Sequence, residues 1–177
     1  TDSVIITRTI KTAGLAEAAV DEAVSQWIGG ENPYVGIYSK SDGIHLTIVA
    51  QANDEEASRT LINPVEKELV RIMEPYVWGF DNETPERVAG GLLVASSLTL
   101  ATMESCTGGL LASVITDVPG SSVYFKGGQV TYSNNAKVAA GVPAGLIQDH
   151  GAVSDQVAVA MAVAARANFD ADIGIGI

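Results

Sequence analysis

The run Glu104-Ser105-Cys106-Thr107-Gly108-Gly109 places a hydroxyl and a thiol immediately before two glycines. The residues ahead of it, Thr99 to Met103, suit a strand, and those behind it suit an apolar helix, so Ser105 is expected at a strand-to-helix turn. Unpaired backbone N–H groups and the positive end of a helix dipole would there face any negative charge forming beside the hydroxyl. Acyl transfer and phosphate binding both use that arrangement, and so does an ordinary helix cap.

A serine becomes a nucleophile only with a base beside it. Val130-Thr131-Tyr132-Ser133-Asn134-Asn135-Ala136-Lys137 reads as a second strand end entering a second helix, which would bring Tyr132 and Lys137 to the same sheet edge. Lysine serves as a base once it has lost its proton, and burial near a helix start favours that loss. A solvated helix lysine fits the same spacing. Cys106 is a rival nucleophile, because thiols at helix starts are reactive. It lacks a clear partner, since His150 before Gly151 reads as a turn residue. Glu104 is expected on the other side of the strand end, as a buried charge paired with a helix start. Ser121 and Ser122, after Pro119-Gly120, offer hydroxyls to a ribose or phosphate, or simply close a turn.

The elements that must position these groups alternate. Helices are expected over 85–95, 108–117, 134–140, 143–149 and 154–168, and strands over 99–103, 129–132 and 172–177, which implies a layered α/β domain. A strand that stops in Ile173-Gly174-Ile175-Gly176-Ile177 reads as part of a longer protein. The preceding half has a different order: strand 4–9, helix 15–28 stopped by Gly29-Gly30, strands 34–39 and 44–50, and helix 53–73 ended before Pro75. The two strands are joined by Lys40-Ser41-Asp42-Gly43, a tight hairpin signal. Ala57, Leu61, Val65, Leu69 and Ile72 paint one side of the second helix apolar, predicting a small α+β layer with Trp27 as a core anchor. The polar stretch Phe80-Asp81-Asn82-Glu83-Thr84 marks a border, giving domains 1–80 and 81–177.

Composition narrows the partners. Ten Lys and Arg against 21 Asp and Glu give a net charge of −11, a field that repels a phosphate backbone, so nucleic acid is not an expected partner. One cysteine and two histidines allow no internal disulfide and few metal ligands, so neither metal nor cofactor is expected. No apolar run reaches the roughly 18 to 20 residues of a membrane span, and Thr1-Asp2-Ser3-Val4 lacks the start of a signal peptide. The expected compartment is the cytoplasm, with no membrane partner.

Four stretches together resemble the C-terminal domain of the CinA family of competence- and damage-inducible proteins. They are residues 104–109, Thr116-Asp117-Val118-Pro119-Gly120-Ser121-Ser122, residues 130–137, and His150-Gly151-Ala152-Val153-Ser154. The half before them resembles that family's KH-like middle domain, so the likeness spans essentially the whole chain. It implies hydrolysis of the carboxamide of nicotinamide mononucleotide to nicotinic acid mononucleotide and ammonia, without a metal. It further implies Ser105 as nucleophile, Lys137 as general base and Tyr132 as a hydrogen-bonding partner in the proton transfers. Thr107, Gly108, Gly109, Ser121, Ser122 and Asn134 are the expected substrate contacts, with backbone around Thr107 and Gly108 as oxyanion donors, and a homodimer is the expected assembly.

Two departures qualify the likeness. The family usually begins with a nucleotide-binding domain resembling molybdenum-cofactor proteins and linked to metal-dependent pyrophosphate cleavage, and nothing here matches it. The family also continues past the last strand with a Thr-Gly-Ile-Ala-Gly-Pro type loop that helps to complete the pocket. The alternative expectation is therefore a non-catalytic interaction or dimerisation module of a larger CinA protein. The KH-like half has no Gly-x-x-Gly loop between helices and the wrong charge for RNA, so it is read as a spacer and assembly element.

Overall fold

The computed structural model describes residues 3–177; Thr1 and Asp2, part of the start that lacks a signal pattern, lie outside the described residues. The chain divides into two compact units, one running up to Pro85 and the other covering Glu86–Ile177. Among the described residues, no helix is long and apolar enough to cross a membrane.

The first unit runs β1 (Val4–Thr12), α1 (Glu17–Val24), β2 (Tyr34–Lys40), β3 (Gly43–Ala52), α2 (Glu55–Met73) and β4 (Val77–Phe80). Its strands form an antiparallel sheet in the order β2-β3-β1-β4. On β3, Ile44, Leu46, Ile48 and Ala50 are buried while the residues between them are half-buried, the period of two of a sheet with one covered face. Val20 and Val24 of α1 and Ile62, Val65, Leu69 and Met73 of α2 complete that core, and Trp27 packs against its edge. The hairpin register pairs Lys40 with Gly43, leaving Ser41 and Asp42 as a two-residue loop. β4 lies where the sequence carries no strand signal. Four residues are too few to show alternation, and the strand exists because the free edge of β1 recruits it through Ile10↔Phe80 and Lys11↔Gly79.

The second unit runs α3 (Pro85–Ala95), β5 (Leu100–Glu104), α4 (Leu110–Thr116), β6 (Phe125–Val130), α5 (Asn134–Ala139), α6 (Ala144–His150), α7 (Asp155–Asn168) and β7 (Ile173–Gly176). The three strands are parallel, in the order β6-β5-β7. All of β5 is buried, as expected of a central parallel strand covered on both faces. Ala101 and Met103 pack with Val157, Met161, Ala164 and Ala165 of α7, whereas Leu100 packs with Ile115 of α4 and with Tyr124.

β6 differs from the expected strand 129–132 by starting at Phe125 and ending at Val130. Gly127 and Gly128 hide it, because glycine has low strand propensity. The sheet needs them, since the Phe169 ring and the Thr102 hydroxyl occupy the places where their side chains would be. Gly174 and Gly176 of β7 serve a similar purpose. A Cβ on either would overlap a carbonyl oxygen of α7, that of Ala162 or Ala158 respectively.

Candidate active site

Open parallel sheets leave their functional groups at the carboxyl ends of the strands, and the chemistry-bearing residues of the second unit gather there. β5 ends at Glu104, which pairs in register with Val130 of β6, and the N–H of Thr131 donates to the Glu104 carbonyl at 2.7 Å. Ser105 therefore leaves β5 beside the point where the chain leaves β6. Its N–H donates to the Ile177 carbonyl at 2.6 Å, fixing the serine to the end of β7 as well.

Three residues past Val130 the chain enters α5, capped by Ser133, whose hydroxyl accepts the Ala136 N–H at 3.2 Å. Helical side chains lean toward the helix start, so Lys137 reaches back over the first turn of α5 to the strand ends. Its Nζ lies 2.8 Å from Ser105 Oγ, 2.8 Å from the Thr131 carbonyl and 3.3 Å from the Tyr132 carbonyl. The side chain is 1% exposed and forms no ion pair among the described residues. Ser105 itself is half-buried. A hydroxyl and a buried amine at hydrogen-bond distance, with two carbonyls taking the amine's remaining donors, can pass a proton between them.

Glu104, also 1% exposed, turns to the other side as the sequence suggests. Its carboxylate accepts the N–H of Leu111 at 3.0 Å and of Ala112 at 2.8 Å, capping α4. Burial alone would push its carboxyl up, but the Thr107 hydroxyl and the N–H groups of Ala112, Leu111 and Gly109 outweigh burial and hold it below the usual carboxylate range. The turn between this cap and Ser105 takes Gly108 to φ 62° and Gly109 to φ 99°, the left-handed region that glycine enters without strain.

Ser105 and Cys106 open onto a cleft of about 350 Å³ whose far wall is Ala152, Val153, Ser154 and Asp155, with Ala158, Met161 and Ile177 at its base. The sequence points to Ser154 as a helix start, and it does cap α7, its hydroxyl accepting the Val157 N–H at 3.4 Å. Its spacing does not reveal that this start faces the serine; the hint is that His150-Gly151-Ala152-Val153-Ser154 is one of the stretches that carry the family likeness.

Several expected contacts fall elsewhere. Ser121 and Ser122 are not beside Ser105 within this chain. They form a 3-10 turn before β6, and the next residues meet the amino end of β5, where the Leu100 N–H donates to the Tyr124 carbonyl. α4 carries the chain back across the sheet, so these serines sit at the end opposite to the reactive one. Tyr132 reaches Lys137 through its carbonyl, whereas its side chain is 76% exposed, because β6 stops two residues before it. The Gly108 N–H is already committed to the Ser105 carbonyl at 3.1 Å, which removes it from the expected oxyanion donors. Thr107 and Gly109 lie half-buried in the turn, and Asn134 is exposed as the first residue of α5.

Residues 82–177 match the family model described as the CinA C-terminal domain, and residues 7–79 match the damage-inducible protein CinA KH domain. A competence-damage inducible protein of Moorella thermoacetica is 45% identical over 175 residues, covering 98% of this chain and 42% of that protein. One from Symbiobacterium thermophilum is 41% identical over 175 residues, covering 98% of this chain and 41% of its own length. A solved structure, the competence/damage inducible protein CihA from Agrobacterium tumefaciens, aligns with TM-score 0.48 at 39% identity over 49% of this chain and 53% of that one. The chain thus spans less than half the length of the relatives it matches. With a CinA KH domain followed by a CinA C-terminal domain, it belongs to the CinA family.

Proposed function

We propose that the second unit is a metal-independent amidohydrolase that converts nicotinamide mononucleotide to nicotinic acid mononucleotide and ammonia. The observation that carries the reaction type is the 2.8 Å approach of Lys137 Nζ to Ser105 Oγ, with the amine buried and without an ion pair among the described residues. The substrate is inferred from the likeness to the family.

The base form that the reaction needs is the free amine, whose two protons would go to the Thr131 and Tyr132 carbonyls and whose lone pair would face Ser105. Ser105 Oγ attacks the carboxamide carbon while its proton passes to Nζ, and the carbonyl electron pair moves onto oxygen. When that intermediate collapses, the C–N bond breaks and Nζ returns the proton to the leaving nitrogen, which departs as ammonia. Water then attacks the resulting ester with Nζ again taking a proton, which it returns to Ser105 Oγ as the acyl C–O bond breaks, and the product acid leaves and loses its remaining proton to solvent. Tyr132 acts by aligning Nζ through its carbonyl, and its phenol joins only if the ring turns in from solvent over bound substrate.

The test is ammonia release from nicotinamide mononucleotide by a chain extended past Ile177 to the length of its relatives. Ser105→Ala is expected to abolish release. Persistence of release in that variant, or its loss in Cys106→Ser alone, would transfer the chemistry to another nucleophile.

A further inference from the structure

We infer that the backbone N–H groups of Cys106 and Thr107 form the oxyanion hole for acyl transfer at Ser105. The inference rests on the amidohydrolase reading above and names the atoms that receive the charge.

Most N–H groups from Ser105 to Ala112 have a protein acceptor. That of Ser105 donates to the Ile177 carbonyl at 2.6 Å, that of Gly108 to the Ser105 carbonyl at 3.1 Å, and that of Leu110 to the Thr107 carbonyl at 3.1 Å. Those of Leu111 and Ala112 donate to the Glu104 carboxylate, toward which the Gly109 N–H is also directed. Only Cys106 and Thr107 are left with N–H groups that have no protein acceptor among the described residues. Cys106 is exposed and Thr107 half-buried, so neither donor is spent on the protein and both are open to a group bound beside Ser105.

The usual place for the charge is closed. The first turn of a helix normally offers its free N–H groups to an anion, but in α4 the Glu104 carboxylate already occupies them. The serine's own N–H is equally unavailable. The free pair sits in the four-residue turn closed by the Gly108 N–H and the Ser105 carbonyl, with Cys106 and Thr107 in its central positions. Neither central residue has a positive φ, as in a type I turn, whose central N–H groups take no part in the turn's own hydrogen bond. They follow directly on the nucleophile, and Cys106 shares the cleft with Ser105. A donor immediately after the nucleophile is the relation by which strand-turn-helix hydrolases stabilise their tetrahedral intermediates. Held by the turn, both donors meet the developing oxyanion without reorganisation.

Position 106 allows the N–H to be deleted without disturbing the turn, because proline is favoured at the first central position of a type I turn. Cys106→Ala keeps the N–H and is the reference. In the extended chain, Cys106→Pro is expected to lower kcat for ammonia release roughly 100- to 1,000-fold relative to Cys106→Ala. KM should stay within about threefold, since the contact is made only in the transition state. A kcat within about fivefold of the reference would overturn the assignment. Should proline abolish cooperative melting, lactic acid incorporated at 106 in place of alanine exchanges the N–H for an ester oxygen, and the same fall or its absence decides. Ammonia release by the wild type but not by Cys106→Ala would also overturn it, moving the chemistry to the thiol. No release from the wild type would bring down the amidohydrolase reading itself, and this assignment with it.

Discussion

Lys11 and Lys137 are both buried lysines, one in each unit, at 8% and 1% exposure. Each hands protons to backbone carbonyls, Lys11 to Glu83 at 2.7 Å and Lys137 to Thr131 at 2.8 Å. They differ in what fills the remaining side of the amine. Over Lys11 lies the Trp78 ring, its centroid 5.3 Å away, and an aromatic face stabilises positive charge without exchanging protons. Beside Lys137 lies Ser105, a hydroxyl that can give a proton and take it back. Burial of a lysine is therefore no mark of catalysis in itself. On the function proposed above, the neighbour that completes the amine's coordination is what separates the two lysines.

The strongest way to break this contrast is Lys137→Ala, which is expected to lower kcat about 10²- to 10⁴-fold in an ammonia-release assay, the range for loss of a general base. Lys137→Arg should give no rescue, because a guanidinium keeps its proton, and recovery of activity in it would end the base role. Glu104→Gln comes next, with an expected loss of roughly 2 to 3 kcal/mol in denaturant unfolding, since a buried carboxylate gives up charge-assisted bonds to two N–H groups. The Glu104 carboxyl is held below its ordinary value, so its contribution is complete above about pH 5 and is lost as the pH falls through the folded value. The variant should therefore flatten the acid side of a Tm-against-pH curve, and an unchanged slope would deny the cap.

Methionine at each lysine sharpens the comparison directly. Lys11→Met and Lys137→Met are each expected to lose about 1 kcal/mol through the hydrogen bonds to backbone carbonyls, but only Lys137→Met should lower kcat for ammonia release. An unchanged kcat in Lys137→Met would mean that both lysines are structural. Gly108→Ala is expected to lose no more than about 1 kcal/mol in thermal melts, from the left-handed backbone alone, as nothing lies within 4 Å of the added carbon.

Local rules made much of this legible. Asp54, Ser133 and Ser154 cap their helices through side chains that accept N–H groups, and each stands where an apolar period begins. Spacing leaves Lys137 open between a base and a solvated helix lysine, and it is the family likeness that pairs it with Ser105; the structure then brings the two side chains to 2.8 Å. Features that depend on topology escaped. Ser121 and Ser122 look like neighbours of Ser105 in sequence, but a parallel crossover through α4 exchanges one end of the sheet for the other. The cleft wall at Val153 to Asp155 is set by where α7 lands, which no local pattern encodes.

The two glycines of β7 have a bearing on the reaction that their distance from Ser105 conceals. Because Gly174 and Gly176 present bare backbone to α7, the helix lies against the strand with nothing between them, like a lid machined flush to its seat. The same helix carries Ser154 and Asp155 into the cleft beside Ser105, so the depth at which α7 seats on β7 bears on that opening. A single methyl on either glycine would act as a shim and jack the opposite jaw away from the serine while every residue that touches substrate stayed the same.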